Sequence, residues 1–235
     1  MKKNSLVLLL SLCVVLAGAA VFGIALLPSL LRPQPHIQCE AMRPFVSFNG
    51  VNYVNPSQTE LAHPPAANEL GPVVGTAGNG PHNVQYDCGL LSDGEPIYSV
   101  KGYQTSFRLA VRSSNGIFFF EVGQNPHART GADLLDIGGK VQFITVGPID
   151  NPGSPTRTIR NPVNVEKLVN EILAAPIAPQ ENCTFRGSEE ALLFHLQDGS
   201  VVEISYWPSL TMLSTAWPQC VQLPQNFASL LAASK

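Results

Sequence analysis

Histidine and cysteine most often supply the metal ligands, bases and nucleophiles of proteins, and this sequence contains five of each. No two histidines have the i, i+2 or i, i+4 spacing that presents a metal ion with paired ligands. His195 falls on a predicted strand, and we interpret it as a strand residue with a hydrogen-bonded ring; the alternative is the base of an envelope hydrolase. The other four lie in proline-containing segments: His36, His63, His82 and His127.

Other catalytic and cofactor-binding motifs are missing from the sequence. Nothing resembles the GxSxG turn of a serine nucleophile. The stretch "GTAGNG" at 75–80 runs into Pro81 instead of a helix start, so it cannot cradle a phosphate as nucleotide-binding loops do. Glu189 and Glu190 begin a predicted strand, where neighbouring side chains point to opposite faces, so they are not an acid/base pair. We therefore expect no catalytic residue, no cofactor and no metal.

The cysteines predict disulfides. Cys39, Cys88, Cys183 and Cys220 can close two bridges in an oxidising compartment, and the fifth, Cys13, lies in an apolar segment. Of the three possible connectivities we favour Cys39 with Cys88 and Cys183 with Cys220, because each pair then falls within one half of the chain; spacing alone leaves the choice open. A zinc site is the alternative, but no CxxC or CxH pair supports it.

The N-terminus predicts a membrane anchor. Residues 6–27 carry no charge and, as a helix rising ~1.5 Å per residue, are long enough to cross a hydrocarbon core of ~30 Å. Lys2 and Lys3 precede this segment and Arg32 follows it, which places the N-terminus in the cytoplasm and the remainder outside the cell membrane. A cleaved signal peptide with "LAGAA" at 16–20 as its cleavage site is the alternative.

Charge argues against nucleic acid as a partner. From residue 33 onward there are 11 Lys and Arg against 17 Asp and Glu, a formal charge of −6 that is spread without blocks. Binding to a phosphate backbone needs a concentrated basic face. We expect the partners to be the membrane, through the N-terminal helix, and another membrane or envelope protein.

The remaining sequence reads as hairpins with one helix. Asn49–Gly50 and Asp198–Gly199 are two-residue turn signals, and the second would pair His195 with Val202 and Leu193 with Ile204. Further strands are predicted in "LGPVVG" at 70–75, "VQYDC" at 84–88 and "KVQFITV" at 140–146, and "QNFASLLAAS" at 225–234 predicts one or two helical turns.

An amphipathic helix is predicted after Asn161 and Pro162, which suit its N-cap and first position, and it should end before Pro176. Its apolar residues recur at helical spacing and line one face: Val165, Leu168, Val169, Ile172 and Leu173.

The most regular pattern is "IYSVKGYQTSFRLAVRSSNGIFFFEV" at 97–122. Apolar and polar residues alternate from Tyr103 to Arg112, and a turn at Asn115–Gly116 would pair Arg112 with Phe119 and Leu109 with Val122. On the outer face, Arg108 and Arg112 would then flank Glu121 on the diagonals, with Arg112 lying over Phe119. The predicted core face consists of Phe107, Leu109, Val111, Phe118, Phe120 and Val122.

Gly102 interrupts this alternation and predicts a bulge or bend that redirects Lys101. Such features occur at sheet edges and beside binding sites. We therefore take Tyr98, Lys101 and Tyr103 as the candidate contact residues.

The segments "FNGVNY", "EPIYSVKGYQTSFRLAV", "VNVEKLVNEILAAP" and "LLFHLQDGSVVEISYWP" together resemble bacterial extracytoplasmic domains that are membrane-anchored or lipoproteins. The likeness runs over roughly residues 45–226. It implies a β-rich architecture and an envelope location, and it implies no activity. This chain differs from the lipoproteins of that group in having a long span and no usable lipidation motif.

These patterns predict an α+β protein, with mostly antiparallel hairpins and one amphipathic helix after a single transmembrane helix. The expected order is a signal-anchor at 1–31, a Pro-rich connector at 32–44, a domain at 45–226 with possible halves 45–128 and 129–226, and a tail at 227–235. The expected function is that of a non-catalytic accessory or interaction domain, which could serve as a subunit of a larger membrane complex. A ligand-binding or sensory domain is the alternative.

Overall fold

The computed structural model of the chain describes residues 45–57, 60, 62–66, 69–76, 94–114, 116–183, 187–216 and 219–234. The predicted membrane segment, the connector and the strand at 84–88 lie outside these residues, as do Cys13, Cys39 and Cys88. Within the described ranges, no helix is both long and apolar enough to cross a membrane.

The strands form two six-stranded sheets in which every pair of neighbours is antiparallel. The first sheet has the order β1-β2-β6-β5-β4-β3. Its strands are β1 Phe45–Phe48, β2 Val51–Val54, β3 Leu70–Thr76, β4 Pro96–Val100, β5 Arg108–Ser113 and β6 Gly116–Gln124.

The second sheet has the order β12-β11-β10-β9-β7-β8. Its strands are β7 Val141–Pro148, β8 Arg157–Ile159, β9 Glu190–Leu196, β10 Val201–Trp207, β11 Met212–Ala216 and β12 Gln219–Gln222. The α-helices of the described residues are α1 Pro162–Ala174 and α2 Phe227–Ala233, and short 3-10 turns occur at Gly131–Asp133 and Gln180–Asn182. The predicted β-rich α+β class is confirmed for this part of the chain.

The first hairpin forms as predicted. Asn49 and Gly50 both have positive φ, 52° and 76°, as a type I′ turn requires. The turn matches the right-handed twist of β1 and β2, which pair from Phe45 with Val54 to Phe48 with Val51. The strand expected at 70–75 and that at 140–146 are also present, as β3 and β7.

The β5–β6 hairpin turns one residue earlier than predicted. Ser113 is paired with Gly116, whereas the prediction placed Gly116 within the turn, so each predicted pair is wrong by two residues. Side-chain direction repeats every two residues along a strand, so this shift keeps every residue on its predicted face. The predicted core face is accordingly observed, with Phe118 partly buried and its other members buried.

The charged pair explains why this register is preferred. Arg108 lies directly opposite Glu121, whereas the predicted register put Glu121 on a diagonal. The hydrophobic pattern fits both registers equally well, so it cannot choose between them. Because Arg108 and Glu121 are directly opposite each other in the observed register, their buried charges neutralise each other, and this favours the observed register over the predicted one.

The β9–β10 hairpin is shifted by one residue. His195 is paired with Val201, not Val202, and Leu193 with Glu203, not Ile204. Leu196 N donates to Ser200 O at 2.8 Å, so the connection contains three residues. The predicted two-residue turn is wrong because Gly199, with φ +84°, provides the left-handed position that closes a three-residue loop.

Helix α1 agrees with its prediction. Asn161 Oδ1 accepts a hydrogen bond from Val163 N at 3.0 Å, which caps the helix, and the predicted face is buried except for Leu173, which is partly buried. The helix lies so close to the 3-10 turn at Gly131–Asp133 that a Cβ on Gly131 would lie 2.1 Å from Ile172 O. Only glycine permits this approach.

One contiguous hydrophobic core includes side chains of both sheets and both helices. The sheets divide the chain between Gln124 and Val141, close to the boundary proposed between the two halves, yet they share that core. Helix α2, which the tail sequence predicted, buries Phe227 and Leu231 in it. Cys183 and Cys220 are bonded as favoured, with a Cα–Cα distance of 5.8 Å.

Candidate functional site

The three candidate contact residues lie around the β4–β5 connection. This segment, residues 101–107, is a series of turns, so the strand predicted from Tyr103 begins instead at Arg108. Gly102 has φ +80° and forms a bend after β4 ends. Lys101 is exposed, and its backbone N donates to Glu69 O at 2.7 Å.

The two candidate tyrosines contact different groups. The guanidinium carbon of Arg112 lies 5.5 Å from the ring centroid of Tyr98, so the prediction that Arg112 covers Phe119 is wrong. The Tyr103 hydroxyl donates to Asp198 Oδ2 at 2.6 Å, in the β9–β10 loop of the second sheet. Tyr103 therefore connects the candidate contact region to a polar cluster between the sheets.

Arg108 is the centre of that cluster. Its side chain is 1% exposed, so it does not lie on a charged outer surface as the pattern suggested. Arg108 Nε donates to Glu121 Oε1 at 2.8 Å, and Nη1 donates to Ser200 Oγ at 3.1 Å. Its guanidinium carbon lies 4.3 Å from the ring centroid of Tyr103. One arginine thus joins a strand of the first sheet to a loop of the second.

Arg108 and Asp198 are both held in their charged forms. Burial lowers the pKa of Arg108, but the charge and hydrogen bond of Glu121, together with the charges of Tyr103 and Asp198, outweigh this, and the net direction is upward. Burial raises the pKa of Asp198, but hydrogen bonds from Tyr103 and Ser200 outweigh it, and the net direction is downward. Each charge therefore has partners that offset the cost of desolvation.

Glu60 joins the cluster through a capping box with Ser57. Glu60 Oε2 accepts from Ser57 N at 2.5 Å, and Glu60 N donates to Ser57 Oγ at 3.3 Å. The other carboxylate oxygen, Oε1, accepts from Glu203 N on β10 at 2.7 Å. The pairing of β10 with β11 begins at Ser205, so the Glu60 carboxylate satisfies a backbone N–H that the sheet leaves unpaired.

The environment of the Glu60 carboxyl group favours its neutral form. Burial, followed by the charge of Glu121, raises the pKa of Glu60 to about 8, although hydrogen bonds from the backbone of Glu203 and Ser57 oppose the shift. The cluster therefore places the Arg108–Glu121 pair beside a carboxyl group, that of Glu60, whose pKa is raised toward neutrality.

A carboxyl group that titrates near neutrality can act as a general acid or base if it reaches a substrate. Glu60 is 7% exposed, and both of its oxygens accept bonds from the protein backbone. Nor do the described residues contain any group of three His, Cys, Asp or Glu side chains that could hold a metal. This geometry fits a structural contact that links the two sheets better than it fits a reaction centre.

His195 lies on the opposite face of the second sheet from the core residue Phe194. Its Nε2 is 3.1 Å from Thr145 Oγ1, which agrees with the predicted hydrogen-bonded ring, and the ring stacks on Phe143 with centroids 4.0 Å apart. Burial, then the positive charges of His63 and Arg160, lower the pKa of His195.

Sequence reasoning missed most of the cluster. The motif Ser57-x-x-Glu60 is the sequence signature of a capping box and could have been found. Glu203 and Ser200 carry no such signal, because their roles depend on segments more than ninety positions away that the fold brings to them. The chain matches no family model, and no curated protein or solved structure shows significant similarity to it.

Proposed function

We propose that the chain is a non-catalytic interaction domain, held at the outer face of a membrane by its N-terminal segment and acting as an accessory subunit of a larger membrane complex. One observation carries the proposal. The charged groups that sequence and structure bring together, Arg108, Glu121 and Glu60, are buried and bonded to one another or to the backbone. Their chemistry is used to join the two sheets.

Strand β3 is the surface that we assign to the partner. It is the last strand of its sheet, and among the described strands it pairs with β4 alone. Val73 on this strand is 55% exposed, and Pro72 beside it is exposed as well. Two register shifts along β3 make simple strand addition unfavourable, so side-chain contact with Val73 is the expected mode of binding.

The test compares two exposed valines. Val73→Lys places a charge in the proposed contact, whereas Val163→Lys places one on helix α1, where Val163 is 70% exposed. Membranes carrying the full-length chain are solubilised in mild detergent and resolved on blue-native gels. We expect a complex larger than the monomer that Val73→Lys disrupts and Val163→Lys leaves intact. A free monomer in the unchanged protein would refute the proposal.

A ligand-sensing domain is the second candidate, because the bend residue Tyr103 touches the buried cluster. Its ring lies 4.3 Å from the Arg108 guanidinium carbon and 4.7 Å from Lys140 Nζ, and its hydroxyl bonds Asp198. A ligand bound beside Lys101 would then affect, through Tyr103, the buried cluster that links the two sheets. If Lys101→Ala leaves every ligand-dependent thermal shift unchanged, this site is not used.

A further inference from the structure

Arg160, Phe143 and His195 form a row across the outer face of the second sheet. Phe143 on β7 is paired directly with His195 on β9. Arg160 follows β8, whose last residue Ile159 is paired with Ile144, so Arg160 lies beside Phe143 on its other flank. The guanidinium carbon of Arg160 is 4.4 Å from the Phe143 ring centroid, and the His195 ring is stacked on that same side chain at 4.0 Å.

Positive charge is concentrated around this row. Arg160 is exposed, and its guanidinium packs on the Phe143 ring. His63, from the segment that also carries Glu60, is exposed and acts on the same imidazole. Both His63 and Arg160 disfavour protonation of His195. The acidic residue Glu203 on β10 shares this face of the sheet, because it is paired with Leu193, and its carboxylate accepts a hydrogen bond from Ser57 Oγ at 2.8 Å.

The orientation of the imidazole is fixed. Nε2 of His195 is hydrogen-bonded to Thr145 Oγ1, and the ring stacks on Phe143 with an angle of 12° between the two ring planes. Nδ1 is therefore the nitrogen through which a protonated ring would donate to a bound anion. A guanidinium on the neighbouring aromatic ring supplies donors in a planar fork that matches a carboxylate or a phosphate.

We propose that Arg160 and His195, with His63 beside them, form a binding site for a small oxyanion, a carboxylate or a phosphate. A bound anion would offset the like charges that oppose protonation of the imidazole. Binding is therefore coupled to proton uptake by His195, and it should strengthen as the pH falls through the titration of that ring.

The experiment follows the His195 ring proton by NMR in the full-length chain, held in a neutral detergent and labelled at histidine. The variant His195→Gln identifies its signal among the five histidines. Titrations are made in inorganic phosphate and in sodium acetate, each against sodium chloride of equal ionic strength. We expect a saturable rise in the pKa of His195 of about one unit, as an opposite charge at contact distance produces.

Arg160→Gln should weaken this effect several-fold. Arg112→Gln should leave it unchanged, since Arg112 is also an exposed arginine lying over an aromatic ring, that of Tyr98. A response to phosphate alone or to acetate alone would assign the site to that class of anion, and a response to both would assign it to oxyanions in general. If neither anion moves the His195 signal more than chloride does, or if Arg160→Gln responds as the unchanged chain does, the proposal is wrong.

Discussion

Replacing Arg108 by methionine tests whether the buried cluster holds the two sheets together. Methionine keeps much of the length of the side chain and removes its charge and its donors. Glu121, whose side chain is 11% exposed, would then be left as an unpaired carboxylate, and Ser200 Oγ would lose its donor. Breaking a buried ion pair on one side costs about 3–5 kcal/mol. We expect a loss of that size in the free energy of unfolding at pH 7.

Urea denaturation followed by tryptophan fluorescence measures this loss. In a thermal melt it corresponds to a decrease in Tm of roughly 6–20 °C, at about 2–4 °C per kcal/mol for a domain of this size. Arg112→Met is the control, since Arg112 is exposed and its replacement should change stability by no more than about 0.5 kcal/mol.

The double variant Arg108→Met/Glu121→Leu separates two contributions to the free energy of unfolding: the net contribution of the ion pair, and the cost of leaving one buried charge without its partner. Replacing both members of a buried ion pair by apolar groups is often nearly neutral, so the double variant should be clearly more stable than Arg108→Met. The reasoning fails if Arg108→Met loses less than about 1 kcal/mol, or if the second substitution lowers stability further.

Three further predictions concern the same fold. Burial raises the pKa of Glu60 above its unfolded value, so its contribution to stability is complete below pH ~4.5 and is lost as the pH rises to about 8; Glu60→Gln should flatten this part of the stability-versus-pH curve, and a curve with the unchanged slope would contradict the assignment. Leu168→Ala in helix α1, at a fully buried position, should cost about 2–5 kcal/mol in urea denaturation, whereas Val163→Ala on its exposed side should cost almost nothing. Removing the Cys183–Cys220 disulfide by a double serine substitution opens a loop of 37 residues and should cost roughly 4 kcal/mol on the chain-entropy model; an equal Tm for the oxidised and the serine-substituted chains would show that the bond does not stabilise the fold.

Local sequence predicted the elements well wherever a short-range rule decides them. Asn49–Gly50 specifies its turn because both residues tolerate positive φ, and Asn161–Pro162 specifies the start of α1 because one caps the helix and the other fits its first turn. The helical spacing of Leu168 and its neighbours likewise identified the buried face. None of these features requires knowledge of a distant segment.

Strand register was less predictable, and the two errors have different causes. In the β5–β6 hairpin a shift of two residues keeps the same side chains in the core, so periodicity cannot detect it. In the β9–β10 hairpin, Asp198–Gly199 fits a two-residue turn and also the end of a three-residue loop. The signal identified the turn without fixing its length.

The sequence by itself determined the Asn49–Gly50 turn, helix α1 and the apolar face of the β5–β6 hairpin, because these depend on spacing along the chain. It favoured the Cys183–Cys220 pair without deciding it, and it did not predict strands β8, β11 and β12. Only the tertiary structure decided that Arg108 is buried and that Glu60 reaches Glu203. Both outcomes bring together distant parts of the chain, since Arg108 is 92 positions from Ser200 and Glu60 is 143 positions from Glu203. The packing of the sheets removes these charges from water, and that desolvation determines which partners they must have.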